Sequence, residues 1–92
     1  MAQARSTVDH TTIRKWAEQR GGRPSRVKRT GAGEDPGILR IDFGDPDATL
    51  EEISWDEFFD KFEENHLALL YQDEDEAGHK SRFNKLIDRR HQ

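Results

Sequence analysis

ISWDEFFDKFEENHLALLYQ, residues 53–72, holds a complete helix start, an amphipathic helix and a strand within twenty positions. Ser54 followed three residues later by Glu57 is a capping box, and Ile53 with Phe58 occupies the positions of its hydrophobic staple. Asp56 and Glu57 fall in the first turn, where the helix dipole favours acids. Trp55, Phe58, Phe59 and Phe62 recur at i, i+3, i+4 and i+7, so all four rings share one face. Asp56, Asp60, Glu63 and Glu64 take the wet side. A helix this short is marginal alone, so its aromatic face must pack on something. His66 sits at its expected end, a position that suits a dipole-compatible cap. The run LALLYQ (67–72) then reads as a strand apolar on both faces, and so near the middle of a sheet.

Working outward, GILRIDF (37–43) alternates, with Leu39, Ile41 and Phe43 on one face and Ile38, Arg40 and Asp42 on the other. That half-buried strand is the simplest partner for the aromatic helix. GDPDAT breaks it. Upstream, Asp9 caps a first helix whose stripe is Ile13, Trp16 and Ala17, with Val8 stapling onto Ile13. Lys15 and Arg20 lie toward its C-terminal end, and Gly21, Gly22 and Pro24 stop it. Val27 between Arg26 and Lys28 reads as a short edge strand, because basic side chains discourage further pairing. TGAGEDPG (30–37) is a loop by composition. The run DEDEAG (73–78) is a turn. For SRFNKLI (81–87), a helix would group Phe83, Leu86 and Ile87. The strand reading is favoured, because Gly78 and the acidic turn suit a hairpin with 67–72.

These elements predict one α+β domain over 9–88, with two helices on one face of a mainly antiparallel sheet of three to four strands. Residues 1–8 are expected to be disordered and 89–92 loose. The expected core is Ile13, Trp16, Ala17, Leu39, Ile41, Phe43, Trp55, Phe58, Phe59, Phe62, Leu67, Leu69, Tyr71 and Phe83.

Ninety-two residues with 32% hydrophobic and 37% charged positions make one small polar domain. Without cysteine there is no disulfide or thiolate zinc site. No apolar run suggests a span or secretion signal, so the expectation is a cytoplasmic protein without a membrane partner. The net charge of −4 conceals a pattern. Residues 1–33 carry eight basic against two acidic side chains, 34–76 carry two against sixteen, and 77–92 carry five against one. Arg20, Arg23, Arg26, Lys28 and Arg29 are therefore a candidate anion-binding edge. RGGRP (20–24) resembles the AT-hook core, in which arginine, glycine, arginine and proline are consecutive, but Gly22 interrupts it.

Catalytic, metal and cofactor signatures are not found in the sequence. Counting an EF-hand loop from Asp73 puts Gly78 at position six but Asn84 at twelve, where a bidentate carboxylate is required. Counting from Asp45 puts Leu50 at the glycine position. His10, His66, His79 and His91 form no ligand cluster. Ser54 is accounted for as a cap. The pattern points to a small adaptor or accessory protein making protein–protein contacts, with Trp55 and Ile38 as candidate partner-binding residues. Nucleic-acid or polyanion binding is the alternative, and a small enzyme the remaining one.

Taken in order, IRKWAEQRGGRP (13–24), GILRIDF, LEEISWDEFFDKFEENHLALLYQ (50–72) and SRFNKLI resemble a family of small uncharacterised bacterial proteins, over most of residues 9–87. The resemblance implies a small cytoplasmic protein. Its members often show a glycine turn before the SRF segment, where this sequence has Gly78, which supports the hairpin. Some members carry the label 1,4-alpha-glucan branching enzyme. Such an enzyme needs a full (β/α) barrel with carboxylates from several strand ends, which this chain is too short to build, so that activity is not carried over. The family supplies no catalytic residues.

Overall fold

The computed structural model describes residues 3–28, 38–44 and 48–89. Its elements run β1 (Ala4–Thr7), α1 (His10–Glu18), β2 (Arg23–Val27), β3 (Leu39–Asp42), β4 (Leu50–Glu52), α2 (Trp55–Glu64), β5 (Leu67–Gln72) and β6 (Asn84–Asp88). They form a small α+β domain. Two helices pack against two antiparallel three-stranded sheets, ordered β1-β5-β6 and β3-β2-β4. The single sheet expected from the sequence is thus two.

Both helix starts follow their caps. The Thr12 N–H and hydroxyl donate to Asp9 Oδ2 at 2.9 and 2.5 Å, which holds the Asp9 carboxyl below its ordinary range. The Glu57 N–H donates to Ser54 Oγ at 3.0 Å. Helix α1 closes in a Schellman-type turn, with the Gly21 N–H donating to Glu18 O and the Gly22 N–H to Ala17 O. Gly21 supplies the positive φ of 71° there. Helix α2 closes on His66, which takes the left-handed conformation (φ 52°) while its N–H donates to Glu63 O.

The core lies between the helices and the two sheets. Ile13, Trp16, Ala17, Leu39, Ile41, Phe58, Phe62, Leu69 and Tyr71 are buried in it, and Phe43, Trp55, Phe59, Leu67 and Leu86 pack against it half-buried. Phe83 is the exception to the expected core, at 46% exposure. The cause is parity. Leu86 pairs with Leu69 and takes the core face of β6, so Phe83, three residues earlier, projects to the other face.

Three further expectations are corrected. Residues 4–7 are not disordered, because they form β1 against Thr7–Leu69 through Ala4–Gln72 pairs. Arg89 is not loose. Its N–H donates to His66 O, and its guanidinium donates to Leu67 O from Nε and Nη2 at 3.1 and 2.9 Å. Strand β2 is the centre of its sheet and not an edge. The central position is compatible with Pro24 because of where the proline stands. The Ile53 N–H donates to Pro24 O, so Pro24 faces the β4 side of β2 where β4 has just ended at Glu52. Its missing N–H falls where the ladder stops and the chain turns into α2. Strand β4 was not anticipated at all. Strand β5 is central and β6 pairs with it as the expected hairpin.

Candidate functional site

A groove runs between β3 and β6, the facing edges of the two sheets. One end, of about 360 Å³, is lined by Ile38, Leu39, Arg40, Asn65, Leu67 and Leu86. The other, of about 420 Å³, is lined by Leu39, Arg40, Asn84, Lys85 and Leu86. Leu39 is buried, Leu67 and Leu86 are half-buried against the core, and together they make an apolar floor. Ile38 is 47% exposed at the mouth. Arg40 and Lys85 are exposed, and Arg40 Nη1 donates to Leu39 O at 3.1 Å. Of the two residues expected to meet a partner, Ile38 is therefore in an open groove. Trp55 is half-buried in an aromatic cluster, stacked on Phe59 and edge-on to Phe58, each at 5.4 Å.

The basic residues expected to form one edge are dispersed. Arg20 is turned inward across the Trp16 ring, 4.5 Å from its centroid. Its Nε donates to Ser81 O at 2.6 Å, Nη1 to Trp16 O at 2.9 Å and Nη2 to Asp73 O at 2.6 Å. Partial burial lowers its pKa from the ordinary arginine value. Arg23 Nη1 lies 3.3 Å from Glu52 Oε1, and Arg26 Nη2 3.0 Å from Glu51 Oε2. An odd spacing separates Arg23 from Arg26 along β2, so the two leave opposite faces of the sheet. Lys28 is exposed just past β2. Arg29 and the loop expected at 30–37 lie outside the described residues, as do residues 45–47, which belong to the calcium-loop count from Asp45.

The acidic hairpin loop forms a polar depression of about 320 Å³ with Gln3 and Arg5. Arg5 pairs with Asp73. Asp75 Oδ1 accepts from the Ala77 and His79 N–H groups at 2.9 and 3.0 Å, which spends that carboxylate on shaping the turn. Among the described residues no group of three or more His, Cys, Asp or Glu is placed to hold a metal ion.

The third constellation was not anticipated. His10 stacks on Phe59 with centroids 4.1 Å apart and planes 5° from parallel, and its Nε2 lies 2.8 Å from Glu63 Oε2. The same oxygen accepts from Arg89 Nη2 at 3.1 Å. The cluster ties the start of α1, the end of α2 and the end of β6 together. Only the tertiary fold brings these residues together, so no sequence spacing announces it. Arg89, and then His10, hold the Glu63 carboxyl below its ordinary range. Its stabilising contribution is therefore present above the unfolded carboxyl value and is lost as pH falls through the depressed folded one. Glu63→Gln should lose less stability than the natural protein between about pH 6 and about pH 2. Denaturant midpoints across that range measure it. The difference should stay under about 1 kcal/mol, because the pair is well solvated.

Comparisons with protein-family models, curated proteins and solved structures return no match for this chain. Among the described residues no helix is long and apolar enough to cross a membrane.

Proposed function

We propose that this chain is a small adaptor that binds another protein through the groove between β3 and β6. The observation that carries the reading is the exposed Ile38 beside an apolar floor of Leu39, Leu67 and Leu86. Leu39 is almost fully covered, while Leu67 and Leu86 are packed against the core and keep part of their surface open to the groove. A concavity that sets apolar side chains beside a few polar and charged groups is what a binding site presents. Polyanion binding through the 20–29 segment has less support. Arg23 and Arg26 are each engaged by a glutamate on opposite faces, and Arg20 is committed to main-chain carbonyls.

Affinity capture from the native cell at mild salt, with the natural protein and Ile38→Glu side by side, tests the reading. The natural protein should retain a partner at near-stoichiometric level. The variant should lose at least about tenfold of it, about 1.4 kcal/mol, while keeping its far-ultraviolet circular dichroism. A partner held equally by both proteins, or recovery of nucleic acid alone, would rule the groove out.

A further inference from the structure

We infer that the groove takes an extended acidic segment of the partner as an added β-strand between β3 and β6; this rests on the adaptor reading and specifies its ligand. The register carries the first step. The Val27 N–H donates to Ile38 O, so Ile38, Arg40 and Asp42 direct their main-chain groups toward β2. Leu39 and Ile41 then direct theirs toward the groove, where an incoming N–H would replace Arg40 Nη1 on the Leu39 carbonyl. On the other side the Gln72 N–H donates to Phe83 O and the Arg89 N–H to His66 O. Odd-numbered β6 residues therefore face β5, and Asn84 and Leu86 present their main-chain groups to the groove. Both strands are edges in the sheet orders, and among the described residues neither has a strand partner on that side. Two such edges bordering one depression are a template for an extended chain.

Side chains carry the second step. Leu39 and Leu86 face the core, so Arg40 and Lys85, their chain neighbours, face outward. A strand laid between the edges alternates in the same way. Its inward residues would meet Leu39, Leu67 and Leu86, and its outward ones Arg40 and Lys85. Among the described residues, the charged ones lining the groove, Arg40 and Lys85, are both basic in a chain of net charge −4. The complementary ligand is an alternating apolar–acidic segment of another protein.

The probe is a capped peptide of alternating valine and glutamate, about six residues long, the usual length of a strand. Amide chemical shifts of the full chain are followed to millimolar peptide. Leu39, Ile41, Asn84 and Leu86 should respond and gain exchange protection. A lysine-for-glutamate version and a version N-methylated at alternate residues should bind at least about tenfold more weakly. The double variant Arg40→Glu, Lys85→Glu should reverse the preference between glutamate and lysine. Equal binding of the lysine peptide, responses elsewhere, or no response to any peptide would overturn strand addition. So would dimerisation through these edges in sedimentation, which would assign them to a second copy. In each of those cases a partner captured through Ile38 would leave the adaptor reading standing, so the two fail separately.

Discussion

Arg20→Ala should lower the stability of the domain by about 2–3 kcal/mol. One guanidinium donates to three main-chain carbonyls, of Trp16, Asp73 and Ser81, and lies on the Trp16 ring. Hydrogen bonds from charged donors contribute more than neutral ones, and removal of Arg20 leaves three acceptors to find water at a half-buried site. Trp16 Nε1 donates to Gln72 O at 2.8 Å beside them, so the end of α1 and the start of the β5–β6 loop share this anchor. In a domain of this size the loss should lower Tm by roughly 10–20 °C. Arg20→Lys should recover less than half, because an ammonium cannot span three carbonyls with the same planar fork. Amide exchange at residues 72–83 should accelerate in both. An Arg20→Ala protein that kept its Tm would refute the anchor and return Arg20 to the anion-binding edge.

Arg20 also shows where sequence reading stops. A positive charge after a helix is legible as dipole complement or ligand contact, because both are local arguments. Two of its three partners are carbonyls more than fifty residues away, and carbonyls carry no sequence signature. The same limit explains β2. Arg26 and Lys28 around Val27 suggested a protected edge, but Arg23 and Arg26 have partners in Glu52 and Glu51, and the matching strand LEE is too short and polar to register as one. Strand β1 is invisible for the same reason: ARST lacks apolar alternation and exists through its ladder to β5. Ser54, Asp9, the two apolar stripes and the β5 run were legible because caps and periodicity are short-range. The groove was half-legible. Ile38 on the wet face of a strand was visible, while the neighbouring edge of β6 depends on how two sheets are placed.

Gly22→Ala should destabilise by about 1–3 kcal/mol, although glycine's backbone freedom is not needed there. The two glycines after α1 serve different needs. Gly21 has φ of 71° with nothing within 4 Å of an added Cβ, so it answers to conformation alone. At Gly22 a Cβ would stand 2.8 Å from Ile41 Cγ2, 2.9 Å from Phe43 Cε1 and 3.1 Å from Ala17 O. Ile41 is buried in β3, Phe43 packs its edge on Trp16 at 5.9 Å, and the Ala17 carbonyl already accepts the Gly22 N–H at 2.7 Å. Ile41 and the Ala17 carbonyl cannot retreat without moving core, and the half-buried Phe43 would have to shift on Trp16. Asparagine separates the cases, because it tolerates the left-handed region but needs more room than alanine. Gly21→Asn should cost under about 1 kcal/mol, whereas Gly22→Asn should cost more than Gly22→Ala. Denaturant midpoints of the three variants give the ordering. Equal costs for the two asparagine variants would mean that α1 does not approach β3 as closely as the Gly22 contacts require. Ile41 would then be released to shift β3, and with it the Leu39 and Arg40 side of the groove.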